Sequence, residues 1–241
     1  MGEEGKKEIF QICYEIFETG EWPKDFLETV MIPLEKRANA KRCEDYRTIS
    51  LISHAAKIVL RILNRRLYAR TNDKVEEEQF GFRRGKGTRD AIGLLRVIGE
   101  RFIEKGKEVY VVFIDLEKAF DRVNWEILMD VLKQAGVEWK ERRLIRNLYM
   151  NQRVRVRLGE EMTGKSELGR GVRQGCCLSP TLFNIYLEEI VKQGLLNEDG
   201  VSVGGRRIKC IRFADDMALL AESETKINEM LENLSQSCEN Y

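Results

Sequence analysis

Apolar positions along this chain recur with two periods, one helical and one alternating. Ile9, Ile12, Cys13, Ile16 and Phe17 fall at helical spacing, with Gly20 as a stop. Ser53 can cap a second helix, whose stripe is Ala55, Ile58, Val59, Ile62, Leu63 and Leu67. Thr88 can cap a third, with Ala91, Leu94, Leu95, Ile98 and Phe102 on one side. Asn124 caps a predicted helix through Ile127, Leu128, Val131 and Leu132, closed by Gly136. A further helix is expected over 139–149, another from the Ser179-Pro180 pair to about Gln193, and a last one through Ile227, Met230, Leu231 and Leu234. Strands are predicted at 28–34, at the β-branched run 109–115, which should be buried, and at 153–158, where valines and arginines alternate. Residues 208–214 and 217–221 read as two short apolar strands. This mixed order predicts an α+β layer, an antiparallel sheet with helices packed on one face.

Composition narrows the class without naming a function. The chain has 241 residues, 43% hydrophobic and 34% charged, which suits a folded chain with a substantial core. Net charge is only +1, but its distribution is uneven. Residues 140–173 hold ten basic and four acidic side chains, and residues 188–241 hold six basic and eleven acidic. This reads either as a backbone-binding surface beside a cation site or as scatter on a solvated surface. Six cysteines without a C-x-x-C pair, and one histidine, argue against a zinc site. The first residues carry no apolar signal core, and no apolar run is long enough for a bilayer, so an intracellular, non-membrane protein is expected.

The chemistry concentrates at two acidic points about a hundred residues apart. Asp215 and Asp216 lie between the two last predicted strands, within Phe213-Ala-Asp-Asp-Met-Ala-Leu-Leu220. Adjacent carboxylates repel, and a divalent cation with oxygen ligands removes that cost. The same pair also reads as a polar hairpin turn. Asp115 ends the strand at 109–115, in Phe113-Ile-Asp-Leu-Glu-Lys-Ala-Phe-Asp121. There it either faces a cleft or simply meets water.

Five segments together carry a family resemblance. Phe113-Ile-Asp115 with Ala119-Phe120-Asp121 resembles motif A of reverse transcriptases, and Phe213-Ala-Asp215-Asp216 resembles motif C. Gly171-Val-Arg-Gln-Gly-Cys-Cys-Leu-Ser-Pro180 resembles motif B. Tyr46-Arg-Thr-Ile-Ser-Leu51 and Gln79-Phe-Gly-Phe-Arg83 resemble fingers motifs 1 and 2. All five occur in the family's order; the FADD form resembles that of the non-LTR and group II intron branch, and the chain as a whole looks like the non-LTR retrotransposon type.

The resemblance implies a right-hand polymerase, with a fingers region at 1–108 and a palm at 109–241, fingers elements returning around 139–172. It implies an RNA-directed DNA polymerase that takes an RNA template, a DNA primer and dNTPs. Asp115, Asp215 and Asp216 match the acids that hold two magnesium ions, with manganese as the alternative. Phe120 matches the ring under the incoming sugar. Gln174 and Gly175 match the motif B residues beside the nucleotide, and Arg47 matches the arginine on its triphosphate. Arg83, Arg84, Lys86 and Arg89 form a basic cluster suited to template phosphates.

Two positions depart from the common pattern: Thr48 and Cys177 stand where the family commonly has proline, which relaxes both loops. The chain is expected to stop before the thumb. The competing expectation is therefore an inactive truncated remnant that at most binds nucleic acid. The family implies a nuclear or ribonucleoprotein location.

Overall fold

The computed structural model describes residues 2–241. In chain order the elements are α1 (Glu3–Thr19), α2 (Lys24–Leu27), β1 (Glu28–Glu35), β2 (Tyr46–Leu51), α3 (His54–Thr71), α4 (Thr88–Glu104), β3 (Tyr110–Asp115), α5 (Ala119–Arg122), α6 (Trp125–Gln134) and α7 (Trp139–Met150). They continue with β4 (Arg153–Leu158), β5 (Glu161–Met162), β6 (Ser166–Glu167), α8 (Ser179–Gly194), β7 (Val201–Val203), β8 (Arg206–Ile208), β9 (Cys210–Phe213), β10 (Asp216–Ala221) and α9 (Glu224–Glu239). Two compact units emerge, each made of two chain segments. One joins the residues up to Asn72 with Phe120–Leu182; the other joins Asp73–Ala119 with Phe183–Tyr241.

The first unit is built on a five-stranded sheet in the order β2-β1-β4-β5, with β6 also on β4. β1 and β2 pair antiparallel, Val30 opposite Leu51, while β1 and β4 run parallel, Glu28 opposite Arg153. The alternation in β4 does what the sequence pattern requires, burying Val154 and leaving Arg153 and Arg157 exposed. Its helices begin where their caps say. Ser53 Oγ accepts from Ala56 N, and Asn124 Oδ1 accepts from Glu126 N and Ile127 N. Leu60, Leu128, Leu132, Ile145 and Leu148 are fully buried, each contributing about 1.5–3 kcal/mol. Glu141 lies fully buried among them, and its two oxygens meet Arg66 Nε at 2.6 Å and Arg70 Nε at 3.4 Å.

The second unit contains the antiparallel sheet β3-β10-β9 and the separate hairpin β7-β8. β10 is the central strand, and every residue from Met217 to Ala221 is buried. Alternation places Ile211, Ala218 and Leu220 on one face, where they pack with Ala91, Ile98 and Phe102 of α4. Helix α9 runs against β10 and β3, with Ile227, Met230 and Leu234 buried.

Four sequence expectations change. The strand at 109–115 is an edge strand and only half buried, with Phe113 73% exposed. Thr88 is the first residue of α4 rather than its cap; Gly87 takes the cap position and donates its N–H to Asp90 Oδ2 at 2.7 Å. Ser179 is the first residue of α8 rather than the residue before it, and its buried hydroxyl bonds Tyr149 OH at 3.2 Å. The run 208–214 is broken at Lys209 because its halves have different partners: Ile208 pairs with Val201, and residues 210–213 pair with β10. No described helix is long and apolar enough to cross a membrane.

Candidate active site

The ladder of the second unit settles where the acids go. Asp115 ends β3 and Asp216 begins β10, and the register sets them directly opposite one another. Paired residues share a face, with Cβ atoms about 4.5–5.5 Å apart. Both carboxylates are exposed. Asp215 precedes Asp216 in the two-residue turn from β9, half exposed. Among the described residues no group of three Asp, Glu, His or Cys side chains forms a ready-made cation cage. Mutual repulsion of the carboxylates is the physical reason to expect a looser arrangement before a cation arrives. The donor set still fits a hard divalent ion: opposed carboxylates on one strand pair, a third on the adjacent turn, and no sulfur or imidazole.

The turn itself is strained and supported. Ala214 has φ +59, a left-handed conformation that residues other than glycine rarely adopt. Gln79, fully buried, brackets it: its Oε1 accepts from Ala214 N at 3.1 Å and its Nε2 donates to Ala214 O at 3.4 Å. The same Oε1 accepts from Gly81 N at 2.8 Å. Gly81 is pressed so close that a Cβ there would lie 2.1 Å from Ala214 N. Asn184 of α8 donates to Gly81 O at 2.9 Å. Residues 78–80 dock on β9 through Arg212 N to Glu78 O and Phe80 N to Arg212 O. Arg212 is fully buried and paired with Glu188 at 2.9 Å and Glu76 at 3.3 Å. Burial and the neighbouring Glu188 raise the Glu76 carboxyl above its ordinary range. Sequence reasoning took Gln79 only as a motif letter, because its partner Ala214 is 135 positions away.

The basic cluster divides in two. Arg83 Nη1 donates to the carbonyls of Val75 at 3.2 Å and Glu76 at 2.6 Å, and Lys86 Nζ donates to Glu77 O. Lys86 also sits over the Phe80 ring, 5.0 Å from its centroid, and burial lowers its pKa. Arg84 and Arg89 face solvent.

The first unit gathers the motif B residues with those of motif 1. Gln174 Nε2 donates to Asp121 Oδ1 at 3.1 Å, and its carbonyl accepts from Ser50 N at 2.8 Å. Gly171 and Gly175 have φ +96 and +93, and a Cβ on Gly171 would lie 2.9 Å from Asp121 O. Phe120 O accepts from Val172 N at 2.8 Å. A cavity of about 320 Å³ opens here, lined by Thr48, Ser50, Asp121, Gly171, Val172 and Gln174 among others. Arg47 is exposed on β2, opposite Leu34. The neighbouring Cys177 thiol holds the Cys176 thiol below its ordinary value.

An antiparallel sheet with opposed acids at its open end, joined to helices in this order, is the fingers-and-palm fold of the right-hand polymerases. Telomerase from Candida tropicalis, solved with a fragment of telomeric RNA, superposes with a TM-score of 0.62 at 12% identity, over 95% of this chain and 43% of that one. The chain belongs to the reverse transcriptase (RNA-dependent DNA polymerase) family, whose sequence profile matches residues 34–241. It is 29% identical over 217 residues to the Pol polyprotein of the R2 element of Nasonia vitripennis, covering 89% of this chain and 21% of that protein. It is 25% identical to the RNA-directed DNA polymerase of the jockey element of Drosophila melanogaster, covering 94% and 25% respectively. These relatives are of the non-LTR type that the motifs resemble. The chain spans between a fifth and a quarter of their length.

Proposed function

We propose that this domain performs RNA-templated DNA synthesis, joining a dNTP to the 3′-hydroxyl of a DNA primer. The observation that carries this reading is the register that sets Asp115 opposite Asp216, with Asp215 beside it on the turn. These three acids are the proposed ligands of two magnesium ions, for which manganese can substitute. When bound, such ions acidify the primer hydroxyl and neutralise charge on the triphosphate.

The remaining roles belong to the chain's own side chains. Phe120 places a ring where a ribose 2′-hydroxyl would collide, selecting deoxynucleotides. Gln174 and the glycine at 175 line the incoming nucleotide, the glycine allowing close backbone approach. Arg47 supplies positive charge to the triphosphate. Arg84 and Arg89 face solvent and suit template phosphates, while Arg83 and Lys86 shape the loop that presents them.

Primer extension on an RNA template with magnesium tests the reading, comparing this chain with Asp215→Ala/Asp216→Ala. Extension by the parent and none by the double variant is the expected result. Silence from both withdraws the activity and leaves a family member that at most binds nucleic acid. Equal extension by both would remove the acids from the mechanism.

A further inference from the structure

Holding a left-handed alanine next to two repelling carboxylates requires support from outside the hairpin. Alone, a non-glycine residue at positive φ is disfavoured by about 1–2 kcal/mol, and the like charges on Asp215 and Asp216 add to the cost. In this fold a buried side chain supplies such support. Both amide atoms of Gln79 are committed to the backbone of Ala214, N–H and carbonyl alike, within a fully buried setting. The remaining capacity of its oxygen goes to Gly81 N, so the amide also ties the turn to its own chain segment. Around it, the backbone of Phe213 and Ala214 occupies the space a side chain on Gly81 would need, and the buried Asn184 fixes the Gly81 carbonyl from α8. Every member of this chain of contacts is buried, and none carries a charge.

We propose that Gln79 is a positioning residue for the cation site: its amide locks Ala214 in the left-handed conformation that keeps Asp216 level with Asp115. This rests on the reading of Asp115, Asp215 and Asp216 as cation ligands. A ladder alone does not secure Asp216, since it is the first residue of β10 and its register depends on the turn before it. Polar groups that orient metal ligands from behind are each worth about 10–100-fold in metal affinity. Gln79 touches no substrate; its influence runs through Ala214.

The test is manganese binding to the whole chain, followed by electron paramagnetic resonance, with amide exchange at Ala214 as a second readout. Gln79→Met keeps the volume and removes both amide bonds. It should weaken manganese binding about tenfold or more and speed exchange of the Ala214 amide, with the circular dichroism spectrum unchanged. Adding Ala214→Gly should recover most of the affinity, because glycine takes positive φ without strain. A merely structural glutamine would not be rescued by a glycine at its partner. If Gln79→Met fails to fold, Asn184→Ala loosens the same cradle one step away and should weaken manganese binding in the same direction. Parental affinity in Gln79→Met, or no recovery with Ala214→Gly, overturns the proposal while leaving the acids in place. Manganese binding that Asp115→Asn does not disturb overturns the cation-site reading and this proposal with it.

Discussion

Asp115 and Asp216 are placed by a β-ladder, whereas Gln174 and Gly175 are placed by a loop. In the ladder each residue's partner follows from its neighbours': Met217 faces Ile114 and Ala218 faces Phe113, which brings Asp216 to Asp115, and the turn at Ala214 holds that terminal pair. The motif B loop has no such repetition. It is held by single contacts, Gln174 O on Ser50 N, Val172 N on Phe120 O and Gly171 N on Val123 O, and by glycines in conformations other residues avoid. A ladder tolerates side-chain change at its exposed positions, because the backbone carries the geometry. A glycine-shaped loop does not, because the missing side chain is the geometry.

The sharpest way to break this comparison is at Gly171. A methyl group there must be carried at φ +96 and would meet the Asp121 carbonyl oxygen at 2.9 Å. Gly171→Ala should cost about 2–3 kcal/mol, a fall of roughly 5–10 °C in melting temperature for a chain of this size. Gly175→Ala carries a similar φ but meets Ile49 and Ser50 only at 3.4 Å. It should cost about 1–2 kcal/mol. Phe113→Ala, at an exposed position of β3, should change stability by less than about 1 kcal/mol. Thermal unfolding of the three variants checks the order. A Gly171→Ala protein that melts with the parent would show that the loop is not shaped by its glycine.

What the sequence made legible follows the same division. Ser53 and Asn124 cap their helices as read, since a cap depends on residues two or three positions away. The acids at the two strand ends were visible for a related reason: a β-branched run that stops at a carboxylate marks the end of a strand. Lys209 could not be read as a break, because the choice between Val201 and β10 as partner is made by distant segments. The parallel pairing of β1 with β4 joins residues more than a hundred positions apart and leaves no local periodicity. Gln79 was hidden for that reason too. Its amide tolerates full burial because Ala214 and Gly81 absorb its hydrogen bonds.

The basic cluster offers a finer comparison within one loop. Four cationic side chains lie close in sequence, yet Arg83 and Lys86 turn inward to carbonyls while Arg84 and Arg89 face outward. Arg84→Ala and Arg89→Ala should each weaken binding to an RNA–DNA primer-template, with the slope of log affinity against log salt reduced by about one. Arg83→Ala removes two bonds to backbone carbonyls and should cost about 1–2 kcal/mol of stability instead. Binding across a salt series, read beside denaturant unfolding, separates the two effects. A full unit of slope lost with Arg83→Ala and no loss of stability would reverse the division.

The smallest expected effect concerns the connection between β1 and β2, a loop held by one carboxylate. Asp45 is buried, accepts from Arg42 N at 3.0 Å and Lys41 N at 3.1 Å, and pairs with Arg37. The backbone donors of Arg42 and Lys41, ahead of the Arg37 charge, hold its carboxyl below the ordinary 3.8. A depressed folded value means that the unfolded chain takes up the proton first as pH falls. The stabilisation is therefore complete above that ordinary value and disappears as pH drops through the lower folded one. Asp45→Asn keeps an acceptor oxygen but carries no charge to lose. Followed by urea unfolding from about pH 6 to about pH 2, the variant should start less stable, and its deficit should shrink in the acid range until the two curves approach. The connection carries Lys36 and Lys41 and leads directly into Arg47, so the same titration should loosen that arginine's strand end while the β3–β10 register stays fixed. Parallel curves across the whole range would show that the carboxylate charge does not hold the loop.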